Sequence, residues 1–76
     1  MNGTAMRYAI VIERGETSYC AYVPDLPGCV AVGETREEAL KLIHEAIESH
    51  LEILREDGEP LPEARSTADY AEVAIA

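Results

Sequence analysis

Cys20, Cys29, His44 and His50 are the side chains of this 76-residue sequence best suited to metal ligation or nucleophilic chemistry. A zinc knuckle holds its cysteines two to four residues apart, whereas eight residues separate Cys20 from Cys29. Five residues separate His44 from His50, so on a helix the two rings project about 120° apart and do not converge. The cysteines therefore read as reduced thiols used as small apolar groups, and neither a metal nor a cofactor is expected. The carboxylates nearest to a divalent-metal set for hydrolysis are Glu13, Asp25 and Glu34, but they fall in turns or at a strand exit with no motif linking them. No Ser/His/Asp or Cys/His arrangement has a recognisable local context either. The expectation is a protein without enzymatic activity.

Charge narrows the partners. Fifteen acidic against six basic side chains give a net charge of −9, which repels a phosphate backbone. The excess acid accounts for solubility and also suits a basic protein partner steered in by complementary potential. No stretch approaches the roughly 20 apolar residues of a membrane span. Residues 1–5, Met-Asn-Gly-Thr-Ala, lack the basic-then-apolar pattern of a signal peptide, so a cytoplasmic protein is expected. On that reading the Asn2-Gly3-Thr4 sequon goes unused.

These residues must be positioned by a few elements. Residues 6–13 alternate, with Tyr8, Ile10 and Ile12 on one face and Arg7, Ala9, Val11 and Glu13 on the other, predicting a strand. After a turn at Arg14-Gly15-Glu16-Thr17, residues 18–23 return as the second arm of a hairpin. Leu26-Pro27-Gly28-Cys29 suits a type II turn, with Pro at the second position and Gly at the third. A short third strand over residues 29–32 stops at Gly33.

Thr35-Arg36-Glu37-Glu38 reads as a capping box, and the helix it opens runs to about Asp57, with Gly58 as the terminating residue and Pro60 and Pro62 beyond. Its apolar stripe comprises Ala39, Leu42, Ile43, Ala46, Ile47, Leu51, Ile53 and Leu54, with His50 near the middle as a partly buried histidine or an interface position. Glu37, Lys41, Glu45, Glu48 and Glu52 take the opposite face. A polar connection over residues 59–69 leads to a last strand over residues 70–76, with Val73 and Ile75 on one face.

The order β-β-β-α-β predicts an α+β fold: one long helix packed on a mixed four-stranded sheet of order 3-2-1-4, the last strand parallel to the first. Residues 1–5 are an N-terminal extension and 6–76 a single domain. A core of this size leaves a monomer marginal and two sheet edges open, so a homodimer or higher assembly is expected.

The run Tyr19-Cys20-Ala21-Tyr22-Val23-Pro24-Asp25-Leu26-Pro27-Gly28-Cys29 resembles the central signature of HicB-type antitoxins. It is followed, in that family's order, by Gly33-Glu34-Thr35, Glu37-Glu38-Ala39-Leu40 and Glu45-Ala46-Ile47. The resemblance implies a partial RNase H-like fold. It also implies a role in a type II toxin–antitoxin pair: binding and neutralising a small, basic, RNA-cleaving toxin by covering its active site. Many members add a C-terminal DNA-binding segment. This sequence stops at Ala76, so a stand-alone member that does not bind nucleic acid by itself is expected. The rival readings are an orphan homodimeric interaction domain with no toxin partner and, more remotely, an RNase H-like nuclease, which would need an Asp within its first strand.

Two surfaces are candidates for the partner. The loop around Asp25, Leu26 and Gly28 is stiffened by two prolines and a Gly-dependent turn, so it costs little entropy to present; it offers a carboxylate and an apolar tip. The plainer reading is a strand connection in which Asp25 is a local acceptor. The acidic helix row Glu45, Glu48 and Glu52 is the competing surface, its plainer reading a solvated face.

Overall fold

The computed structural model describes residues 6–75. In it Thr35 is the N-cap of helix α1, Arg36–Glu56, with extended backbone and a side chain accepting from the Glu38 amide at 3.0 Å. The capping box closes one residue earlier than expected: the Glu38 carboxylate accepts from the Glu34 amide at 2.7 Å rather than from Thr35. Glu37 and Glu38 stand in the first turn and Arg55 in the last, complementing the helix dipole at both ends. The helix stops in a Schellman arrangement. Gly58, at φ +73°, donates to the Arg55 carbonyl at 3.1 Å, and Glu59 donates to that of Leu54 at 2.9 Å.

Three short strands precede it: β1 Val11–Arg14, β2 Tyr19–Tyr22 and β3 Val30–Gly33. They form an antiparallel sheet in the order β1-β2-β3. The registers align four rows across it: Val11–Tyr22–Val30, Ile12–Ala21–Ala31, Glu13–Cys20–Val32 and Arg14–Tyr19–Gly33. Because side chains alternate along a strand, the second and fourth rows face α1, while the first and third face away.

The core lies between sheet and helix. Ala21, Val23, Leu26, Cys29, Ala39 and Ile43 are buried, with Tyr8, Ile10, Ile12, Tyr19, Ala31, Ala46, Ile47 and Leu51 packed against them. Strand and helix meet closely at Gly33, where a Cβ would lie 2.6 Å from the Ala39 amide nitrogen. A side chain there would push the layers apart. Burial drives the Cys29 thiol pKa upward, and both cysteines are free.

Three expectations need correction. The fourth strand does not form: the sheet has three strands, all antiparallel, and residues 60–75 carry no regular structure. Tyr70, Val73 and Ile75 are 95%, 75% and 92% exposed. A β-rich pattern makes a strand only where a neighbouring ladder receives it, and these side chains have no inward face to fill. The mixed order 3-2-1-4 and its crossover fall with that strand; the expected Ala76, like residues 1–5 with the sequon and the leader reading, lies outside the described residues. Strand β1 begins at Val11 rather than at residue 6, although Tyr8 and Ile10 keep the predicted inward face. The helix stripe is also narrower than predicted. Leu42 and Ile53 are 36% and 58% exposed, because a three-stranded sheet covers only part of a 21-residue helix.

Candidate partner-binding surface

The loop after β2 is two turns in series. The Leu26 amide donates to the Val23 carbonyl at 3.1 Å, and the Cys29 amide donates to the Leu26 carbonyl at 3.1 Å. Gly28 sits at φ +83°, the left-handed value that the third position of a type II turn requires. The turn points Leu26 inward: it is fully buried at 0% exposure, so the expected apolar tip is a core residue. Its side chain belongs to the buried cluster that includes Val23 and Ile43, where burial is more favourable than display.

Asp25 is also engaged within the chain. One carboxylate oxygen accepts from the amides of Arg65 at 2.9 Å and Ser66 at 2.8 Å, while the other accepts from the Ser66 hydroxyl at 2.8 Å. These bonds, led by those from the Ser66 amide and hydroxyl, hold its pKa below the ordinary carboxylate value. Close by, the Tyr8 hydroxyl donates to the Pro62 carbonyl at 2.6 Å, and burial followed by the Asp25 charge raises the Tyr8 pKa. Asp25 is thus an acceptor, as the plainer reading had it, but for a segment 40 residues away in sequence rather than for its own turn.

The acidic face of α1 has a different setting. Glu48, Glu52 and Glu56 line an open groove of about 710 Å³ together with Leu51, Leu61, Met6 and Arg55. The helix supplies the carboxylates one turn apart, while the chain before β1 and after α1 supplies Met6 and Leu61. Glu45 is exposed on the same helix but does not line the groove. Like charges at i and i+4 disfavour the helix by a few tenths of a kcal/mol per pair. His44 Nδ1 lies 3.5 Å from a Glu48 carboxylate oxygen. The row of Glu48 and Glu52, expected from the sequence, lines this groove, and the i, i+4 spacing continues to Glu56. Met6 and Leu61 gave no signal, because only the folded chain brings them to the helix. His50 is half-buried.

Among the described residues no group of three or more His, Cys, Asp or Glu is placed to hold a metal ion. Glu13 lies on the sheet face away from α1, Asp25 holds the chain after the helix, and Glu34 precedes the helix cap, so these three carboxylates do not meet. No described helix is long and apolar enough to cross a membrane.

The fold and this surface define a small α+β domain with an acid-edged groove along α1. The family described as HicB-like antitoxin of bacterial toxin–antitoxin systems matches residues 8–74, and the chain belongs to it. A 14.9 kDa protein from the rep-hol intergenic region of Haemophilus phage HP1 is 42% identical over 65 residues, covering 86% of this chain and 49% of the phage protein. A UPF0150 protein of Thermoplasma acidophilum is 41% identical over 58 residues, 75% of this chain and 84% of the relative. Antitoxin HicB 2 of Photorhabdus laumondii is 35% identical over 57 residues, 75% of this chain and 41% of that antitoxin. The chain therefore spans about half the length of the phage protein and less than half of the named antitoxin. No solved structure matches it.

Proposed function

We propose that this chain is the antitoxin of a type II pair: a non-enzymatic, cytoplasmic protein that binds a small, basic, RNA-cleaving toxin and covers its active site. The observation that carries the docking surface is the groove in which Glu48, Glu52 and Glu56 stand over Leu51, Leu61 and Met6. Cationic side chains of a partner would relieve the repulsion along the carboxylate row, and their aliphatic stems would cover the apolar floor. Glu45, one turn further along the helix, extends the same negative field. The turn at Gly28 stiffens the loop that carries Asp25, and Asp25 serves the interface indirectly by fixing residues 65 and 66 of the chain that carries Leu61. The net charge of −9 supports both the basic partner and the absence of direct nucleic-acid binding by this chain.

The test is calorimetric titration of the full chain with the small basic product of the adjacent gene, using wild type and the Glu48→Lys/Glu52→Lys double variant. Tight binding by wild type and at least tenfold weaker binding by the variant are expected. Equal affinity for both would remove the groove from the interface. No binding by the wild type would replace the antitoxin reading with that of an orphan association domain.

A further inference from the structure

Helix α1 packs over β2 and β3, so the inner side of β1 extends beyond it. There Ile10 and the strand residues Ile12, Arg14 and Tyr19, with Arg36 from the start of α1 and Tyr70 from the chain after it, line a cavity of about 180 Å³. Ile10, Ile12 and Tyr19 are half-buried, and both arginines are exposed. Two of the six cationic side chains of this acidic molecule thus share one small cavity.

We propose that this cavity binds a phosphate group, free or as a small monoester, independently of any toxin. The first argument is that the arginines are unpaired where acid is plentiful. The ion pairs among the described residues are His44–Glu48 and Arg65–Glu63, so none of the fifteen carboxylates neutralises Arg14 or Arg36. The acids near them in sequence are otherwise placed. Glu13 lies on the other face of the sheet, Glu38 accepts from the Glu34 amide, and Asp69 accepts from the Tyr70 amide. Two cations that line one cavity repel each other, and an anion between them removes that repulsion.

The second argument is size and charge. The cavity is smaller than the roughly 300 Å³ at which pockets hold whole small molecules, so it takes one charged group and leaves the remainder of a ligand outside. Two guanidiniums balance two negative charges, and a phosphate monoester carries about −1.5 to −2 at pH 7, whereas a carboxylate carries one. Its oxygens suit the planar forks of the arginines, and the hydroxyls of Tyr19 and Tyr70 are further donors. Ile10 and Ile12 form an apolar wall, beside which such bonds are stronger than in water. Tyr70, 95% exposed, offers its ring to an organic group attached to the phosphate. A long phosphate backbone is disfavoured by the net charge of −9, which leaves free phosphate or a small monoester as the source. Because the two arginines come from β1 and α1 and Tyr70 from the chain beyond, a bound phosphate would link all three segments.

The test is titration of the full chain at constant ionic strength with inorganic phosphate and, separately, with adenosine 5′-monophosphate, followed by amide chemical shifts. Saturable binding is expected, with shifts at residues 14, 19 and 36. Arg14→Gln and Arg36→Gln are each expected to weaken it about tenfold, and the double variant to abolish it, with circular dichroism spectra unchanged because both side chains are exposed. Lys41→Gln removes a charge from an exposed position of α1 outside the cavity and is expected to bind as wild type does. Equal affinity for the two probes assigns the site to the phosphate itself. Tighter binding of the nucleotide, brought back to the phosphate level by Tyr70→Ala, assigns it to a monoester that carries a ring. Failure of both probes to saturate the chain at about 10 mM, well above a dissociation constant of about 1 mM, overturns the proposal. Binding indifferent to both arginine variants, or acetate that competes as well as phosphate, overturns it too.

Discussion

Asp25 and Ser66 are joined by two hydrogen bonds across 41 residues of sequence: the Ser66 amide and the Ser66 hydroxyl each donate to a different carboxylate oxygen, both at 2.8 Å. With the Arg65 amide on the same carboxylate and the Tyr8–Pro62 bond beside it, this pair fixes the chain after α1 against the loop after β2. The segment it fixes includes Leu61, part of the groove floor. The loop after β2 is therefore tied to the chain that follows Leu61.

The fastening should depend on pH with a defined sign. The folded-state pKa of Asp25 is lowered, first by the Ser66 amide bond and then by the Ser66 hydroxyl. Its contribution is complete above the ordinary carboxylate pKa of about 4 and is lost as pH falls through the lowered folded value. At neutral pH, Asp25→Ala is expected to accelerate hydrogen exchange at the Arg65 and Ser66 amides while α1 amides remain protected. Tyr8→Phe removes the neighbouring bond and is expected to cost about 1 kcal/mol, read by chemical denaturation. Unchanged exchange at residues 65 and 66 in Asp25→Ala would show that the contact holds nothing in place.

Gly33→Ala tests the closest approach of sheet to helix. The added methyl would meet the Ala39 amide nitrogen at 2.6 Å and the Glu38 carbonyl carbon at 3.0 Å, backbone atoms that cannot swing aside. Overpacking of this kind costs about 1–3 kcal/mol. A denaturation midpoint equal to wild type would mean that β3 and α1 separate freely.

Gly28→Ala tests a different constraint. Nothing lies within 4 Å of a Cβ at this position, but its φ of +83° is one that L side chains rarely adopt. A loss of about 1–2 kcal/mol is expected from the backbone alone. Gly28→Asn, which tolerates the left-handed region better, should recover part of it. Equal stability of the alanine and asparagine variants would assign the loss to something other than φ.

Elements built from local signals were legible in the sequence. Thr35 and Glu38 opened the helix where expected, Gly58 closed it, and Pro27-Gly28 set the turn, because caps and turns are decided by neighbours in sequence. The Tyr8, Ile10 and Ile12 alternation gave the inward face even where no ladder forms. What failed depended on distant partners. Val73 and Ile75 carry a strand pattern but have no strand beside them, and Leu26 is apolar whether it points out or in; only the fold decides. For the site, Glu48 and Glu52 could be placed on one helix face from spacing alone. Their pairing with Met6 and Leu61, and the capture of the Asp25 carboxylate by Ser66, required the chain to return from 40 or more residues away.

The groove and the rest of the acidic face can be separated by charge. If a basic partner seats in the groove, its contacts are with Glu48, Glu52 and Glu56, whereas Glu45 acts only through the field it adds to the approach. Rim charges act mainly on the association rate and its salt dependence, while truncation of a desolvated, hydrogen-bonded charge acts on the dissociation rate. Glu45→Gln is therefore expected to slow association of the toxin several-fold at low salt, with little effect at high salt, where the Debye length falls to about 3 Å at 1 M. Glu52→Gln is expected to speed dissociation at both salt concentrations. Surface plasmon resonance of the two variants at low and high salt measures both rates. Should Glu45→Gln and Glu52→Gln behave alike, with both effects abolished by salt, the carboxylates would be steering the partner from a distance and its seat would lie elsewhere on the domain.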